Sequence, residues 1–406
     1  MPSLPQTRNA VAASFALAGF TFATLVSRLP DVRGGLDLDN AALGLLLFAI
    51  ALGSIVAMPS AGWAIDRTSA AAVVRLGACL VAGGLVVAML GAASGTVAVT
   101  AVGFLSHGAG TGLWDVAMNV EGAEVERRLG RTIMPRFHAA WSAGSIAGAA
   151  LGIPMAALHV PLLLHVGPAV AAALLLAWRG AGSFLPTERL VGDAAEASTG
   201  PAGRSAWLEP RTLAIGAMVL SFALVEGTAN DWLSLALIDG YDVRHWVGVA
   251  GFSLFVCAMT TGRLVGPVLL DRFGRAAVLW GCAAATTVGV LLVVLGGAVA
   301  PETPVAPVAA VAVGIVVWGL GASLGFPVGM SAAADDPARA ARRVSVVSTI
   351  GYGAFLAGPP ALGLLADHVG TLRALLVLAA LMLPASLTVL AARPARDREG
   401  AAPAAV

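Results

Sequence analysis

Apolar residues in this chain fall in long continuous runs, broken by short polar segments. A run of roughly 20 apolar residues is long enough to cross a bilayer core as a helix. A membrane β-strand would instead alternate between apolar and polar positions. Twelve helices are predicted, at about 10–30, 41–64, 71–92, 96–121, 137–159, 161–178, 211–236, 246–270, 276–299, 305–333, 344–366 and 371–392. The longest break, 179–210, carries Glu188, Asp193 and Glu196 among Gly, Pro and Ser. That composition reads as a flexible linker. It separates two six-helix halves, 1–178 and 211–392. The tail, 393–406, is Ala, Pro and charge and reads as disordered. The first run follows Arg8 and could imitate a signal peptide. Because the rest of the chain is as apolar, it reads as an uncleaved first helix.

Composition agrees. Of the 406 residues, 58% are hydrophobic and only 12% charged, with a mean hydropathy of +0.87. Soluble domains carry about 25% charged residues, so a soluble enzyme or binding module is excluded. A net charge of +1 gives no footprint for nucleic acid. With the N-terminus inside, 20 arginines fall on inner segments and 4 on outer ones (Arg28, Arg33, Arg244, Arg373). This bias predicts a multi-pass protein of the cytoplasmic membrane with both termini cytoplasmic. Cys79, Cys257 and Cys282 each lie alone in apolar sequence and read as small buried hydrophobes. No cofactor or metal site follows, and a monomer in the lipid bilayer is expected.

Two segments about 205 positions apart share their punctuation. Gly62-Trp-Ala-Ile-Asp66-Arg67 ends the second run, and Pro267-Val-Leu-Leu-Asp271-Arg272-Phe-Gly274-Arg275 ends the eighth. Repeated halves are a common construction of secondary transporters. An Asp at such a turn can face the N-terminus of a neighbouring helix and pair with an Arg of the other half. Gly62, Asp66, Arg67, Asp271 and Arg272 are therefore gating candidates.

Ionisable residues inside apolar runs are costly and usually functional. Asp115 lies in the fourth run with Asn119 four residues on, on the same helix face. Glu226 and Asn230 repeat that spacing in the seventh run. Asp115 and Glu226 are the proton-coupling candidates, with Asn119 and Asn230 beside the solute. Arg28 and Asp231 lie at similar depth and are expected to pair as an outer gate. Glu121, Glu124 and Glu126 read as a solvated face beyond the membrane, and His107 as a packing residue. Gly144, Gly148 and Gly152 form a close-packing stripe.

These features resemble the major facilitator superfamily, whose loop signature is G-x-x-x-D-R-x-G-R-K. Gly62, Asp66 and Arg67 match it, and Gly274 and Arg275 match its second copy. Thr68-Ser69-Ala70 stands in place of the G-R-K end, and Pro267 in place of a Gly. The resemblance implies two halves related by pseudo-twofold symmetry and alternating access around one site. Gly110-Thr-Gly112-Leu-Trp-Asp115-Val-Ala117-Met-Asn119 and Phe137-His138-Ala-Ala-Trp141-Ser-Ala-Gly144 resemble the fucose–proton symporter branch. That likeness implies Asp115 as the proton-carrying carboxylate and His138 at a sugar-contacting position, with Trp141 one turn on. The branch also has an acid in its first helix, where this chain has Val26.

The function expected is proton-coupled symport of a small polar or sugar-like solute. The alternative is proton-driven efflux of an amphiphilic compound, although no Arg lies between Arg75 and Arg127 to supply the drug antiporters' helix-4 signature. A membrane enzyme is not expected, because Asp335-Asp336 is the sole acidic pair and no nucleophile stands with a base. A nontransporting sensor is the remaining class.

Overall fold

The computed structural model describes residues 2–38, 40–186, 205–243, 245–296 and 305–394. Among these there is helix and turn and no strand. Most of the expected linker and tail, 187–204 and 395–406, lie outside the described residues. The helices are α1 (Leu4–Val26), α2 (Leu29–Gly35), α3 (Asn40–Arg67), α4 (Ala70–Ala93), α5 (Val97–Leu129), α6 (Met134–Ala157) and α7 (Leu162–Ala181). They continue as α8 (Pro210–Tyr241), α9 (His245–Leu295), α10 (Val305–Ala322), α11 (Gly325–Ala333), α12 (Ala340–Val369), α13 (Thr371–Ala374) and α14 (Leu376–Thr388).

Among the described residues twelve spans emerge once the seven-residue α2 is set aside, α9 is divided at Gly274, α10 is joined to α11, and α13 to α14. Gly274 has φ +76 and ψ 162, a region that glycine alone enters without strain. This explains why the second loop motif keeps its Gly. In the first motif the departure Thr68-Ser69-Ala70 has its own purpose: the Ser69 side chain accepts from Ala72 N–H at 3.0 Å and caps α4. Large apolar side chains such as Leu45, Leu164, Leu383 and Leu387 are exposed. In water such a surface would drive association, whereas in a bilayer it meets lipid.

The chain forms two compact units, Met1–Leu208 with Asp336–Thr349, and Glu209–Asp335 with Ile350–Val406. In the first, α5 packs on α3 and α4, α1 on α6, and α7 on α1 and α4. In the second, α9 packs on α8, α10 and α14.

Both units use the same close crossing. A Cβ at Gly84 would stand 2.6 Å from the Gly103 carbonyl, and one at Gly103 would stand 2.6 Å from the Gly84 carbonyl. Gly289 and Gly314 are locked in the same reciprocal way, at 2.7 and 2.9 Å. The step from Gly84 to Gly289 is 205 positions, the same as from Asp66 to Asp271. The repeat is therefore one of packing as well as of loops. The expected glycine stripe of α6 acts likewise: a Cβ at Gly144 would overlap the Ala16 carbonyl, and one at Gly148 would stand 2.5 Å from that of Phe20. The thiols correct an expectation, since Cys79 and Cys257 lie on exposed helix faces and only Cys282 of the three is buried.

Candidate functional site

Asp115 is buried in the middle of α5, and Asn119 is fully enclosed one turn on. The Asn119 amide donates to the Asp115 backbone carbonyl at 2.9 Å and to its Oδ1 at 3.3 Å. This fixes the carboxylate on the face that carries Asn119. The neighbouring Trp114 donates from its indole nitrogen to Ser14 Oγ at 2.8 Å, anchoring α5 to α1. The next residue of α1, Phe15, meets His138 edge-on at 5.0 Å and stacks on Phe137 at 5.7 Å. Farther along α1, Phe22 faces Trp141 at 5.6 Å. His138 and Trp141 thus lie against α1, and Asp115 follows Trp114, which is anchored to the same helix. Ser14, Phe15 and Phe22 make these contacts from α1 and were not picked out in the sequence, because nothing distinguishes them from other first-span residues.

His107 is buried at the crossing with α4, where a Cβ at Gly84 would stand 2.5 Å from the His107 backbone nitrogen. The packing reading fits this placement.

The acids that follow Asn119 correct the expectation of a solvated face. Glu126 is buried, and its Oε2 accepts from the N–H groups of Ile133 and Met134 at 2.7 Å each. It supplies the cap for α6 that Ile133 cannot. Glu121 is buried and accepts from Leu185 N–H at 2.6 Å. Only Glu124 behaves as expected of an outer face, bonding Arg127 and Arg128 one turn on.

Arg28 is almost fully buried, and its Nε donates to Asp31 at 2.8 Å while its Nη2 donates to the Val160 carbonyl at 2.7 Å. Asp31 lies three residues on, in the short helix α2, so Arg28 has an acidic partner within the first unit. Asp231 and Asn230 are exposed positions on α8.

At the end of α3, Asp66 accepts from Arg342 Nε at 2.7 Å, and both residues lie in the first unit. One turn earlier a Cβ at Gly62 would meet the Ala341 carbonyl at 2.8 Å. Arg67 lies over the Trp63 ring at 4.3 Å, and Arg272 over Phe273 at 5.2 Å. Asp271 is exposed next to Arg272. Arg275 takes up the strongest charge contact of the second loop: it and Arg211 both donate to Asp335, at 2.7 and 2.6 Å.

In the second unit, Glu226 is not alone. Arg263 of α9 places Nη2 at 2.9 and 2.8 Å from the two carboxylate oxygens. Arg263 is 2% exposed, although it is one of the 20 arginines counted on inner segments. Its position inside the eighth apolar run was the signal, since a buried Arg requires an acid at similar depth.

The family model described as Major Facilitator Superfamily matches residues 11–301 and 250–406. An uncharacterized transporter of Sinorhizobium fredii is 32% identical over 369 residues, spanning 88% of this chain and 90% of the relative. The membrane protein MosC of Rhizobium meliloti is 27% identical over 384 residues, spanning 93% and 88%. Among solved structures, a variant of the E.coli fucose:proton symporter FucP is similar with a TM-score of 0.71 at 15% identity, over 94% of this chain and 97% of the other. A double Trp mutant of XylE has a TM-score of 0.75 at 13% identity, over 95% and 94%.

Proposed function

Because the chain belongs to the major facilitator superfamily of membrane transporters, we propose that it moves a small polar or sugar-like solute across the cytoplasmic membrane by alternating access, coupled to protons. One observation carries this reading: a carboxylate, Asp115, is buried in the middle of a membrane-spanning helix and oriented by Asn119. An acid at that depth is expensive to retain without a task. A proton is the smallest cargo that would neutralise it.

The groups against α1 suit a solute with a flat face and hydroxyl groups. Phe22 and Trp141 supply accessible stacking surface, and His138 and Asn119 are the polar groups that would meet the solute when the site opens. Proteins similar in fold include structures named as fucose:proton and proton:xylose symporters, which supports the sugar-like class and proton coupling. The paired Asp66 and Arg342 serve as an inner latch in this scheme, and Arg67, Asp271 and Arg272 are the other gating residues. Glu226 takes part through its ion pair with Arg263, so protonating it requires that pair to loosen. The protein works as a monomer with both termini in the cytoplasm.

The test is uptake into proteoliposomes. Solutes that stabilise the purified protein in a thermal-shift screen are offered with and without an inward proton gradient. Accumulation that follows the gradient supports symport. Gradient-driven expulsion of an amphiphilic compound would support the efflux reading, which the missing first-span acid favours. No movement of any stabilising solute in either direction would overturn both readings and favour a sensor.

A further inference from the structure

The tenth span is interrupted between α10 and α11, at Ser323 and Leu324. Sequence explains the break. Pro327 has no N–H, so the Ser323 carbonyl four residues back has no helical donor. Non-helical backbone at membrane depth persists only where protein or water satisfies it. Here a neighbouring helix does so. Arg263 Nε approaches the Ser323 carbonyl at 3.4 Å, and two residues before the break a Cβ at Gly321 would stand 2.7 Å from the Cys282 carbonyl. The other end of the same guanidinium holds Glu226. One side chain therefore joins the acid of α8 to the break in the tenth span.

The two contacts are unequal. The bonds to Glu226 are short and charge-assisted, whereas 3.4 Å to a carbonyl is long for a hydrogen bond. Placing a proton on the Glu226 carboxylate removes the charge that draws Arg263 toward α8. Arg263 keeps its own charge, and the Ser323 carbonyl becomes the competing acceptor. Arg263 is the charged group in contact with Glu226 among the described residues.

We propose that Arg263 is a positioning residue that ties proton occupancy of Glu226 to the break at Ser323 and Leu324. The idea rests on the reading of the protein as a proton-coupled transporter. It requires no knowledge of the solute, because the break has a native reporter. Cys282 is buried against it, and the other two thiols can be removed as Cys79→Ala and Cys257→Ala.

The experiment measures the maleimide alkylation rate of Cys282 in the full-length protein in lipid nanodiscs at one fixed pH. Glu226→Gln should speed it by at least about tenfold, the equivalent of the ~1.5 kcal/mol of one hydrogen bond to a charged group. Glu226→Asp, which keeps the charge, should restore much of the original rate. Arg263→Gln should speed alkylation too, and adding Glu226→Gln should then change nothing. A rate within about twofold of the unsubstituted chain in Glu226→Gln would overturn the proposal, as that is less than ~0.5 kcal/mol. Equal speeding of a cysteine placed at the buried Met89 of the first unit would overturn it too, because it would mark general loosening. Should the variants fail to fold, the unsubstituted chain is compared at acid and alkaline pH, each rate divided by that of the denatured chain. The corrected rate should rise in acid, and a flat profile sinks the idea. A flat Cys282 rate beside intact proton-driven uptake defeats this inference alone. A Cys282 response without proton-driven uptake defeats the transport reading and leaves the coupling standing.

Discussion

Asp66 and Arg342 form an ion pair at 2.7 Å, although the Arg side chain is 68% exposed. An exposed pair of this kind contributes about 0–1 kcal/mol to stability. Its consequence should therefore appear in the transport cycle and not in folding. Asp66→Asn is expected to shift the thermal unfolding midpoint little while slowing transport severalfold. Arg342→Asp should behave alike, and the charge swap of both residues should recover part of the rate. A double swap no better than the worse single variant, measured by uptake in proteoliposomes, would remove the latch from the scheme.

Gly62 makes a separate prediction. Its missing side chain lets α3 reach the Ala341 backbone. Gly62→Leu should prevent that approach and depress transport more than Asp66→Asn does, while Gly44→Ala, where a Cβ meets nothing within 4 Å, should be silent. Uptake assays on matched amounts of protein decide this.

Asp115→Asn is expected to abolish proton-driven uptake and to spare solute counterflow, because the amide keeps the shape and loses the proton. Asn119→Ala frees the Asp115 carboxylate from its donor and should weaken uptake without abolishing it. Counterflow lost together with driven uptake would make Asp115 structural.

Glu126 should matter for stability. Its single carboxylate oxygen satisfies two N–H groups at the start of α6. Glu126→Ala is expected to cost about 1–2 kcal/mol, the usual loss for a helix cap. Glu126→Gln keeps an acceptor oxygen and should lose less. Chemical denaturation in mild detergent is the readout. Glu124→Ala should cost less than either, since its partners Arg127 and Arg128 are solvent-facing.

The repeat-related crossings offer a paired test. Gly84→Ala and Gly289→Ala each push a methyl group onto backbone and should both lower the unfolding midpoint. Gly83→Ala meets nothing within 4 Å. It should leave stability unchanged or raise it by up to about 1 kcal/mol through helix propensity.

The spans were legible in the sequence because membrane crossing writes itself as contiguous apolar residues. The loop repeat was legible because its residues are rare elsewhere in such a chain. The Asp115 and Asn119 pair was legible because four residues make one helical turn. Partners distant in sequence were not. Arg263 reads as one more inner-side arginine until α9 is laid beside α8. Glu121 and Glu126 read as solvent-facing because burial by a following helix leaves no periodic mark. Arg28 was matched by depth with Asp231, and its bond to Asp31 was not foreseen, because depth alone does not choose between acids. The break at Ser323 was readable in principle from Pro327, yet a proline in an apolar run more often bends a helix than interrupts it.

The bonds from Glu126 to Ile133 and Met134 do more than finish a helix. They join the end of α5 to the start of α6, so the turn between these helices is held by a side chain as well as by the backbone. Asp115 lies on the first helix and His138 on the second, and the path along the chain from the acid to the imidazole runs through a turn that Glu126 closes.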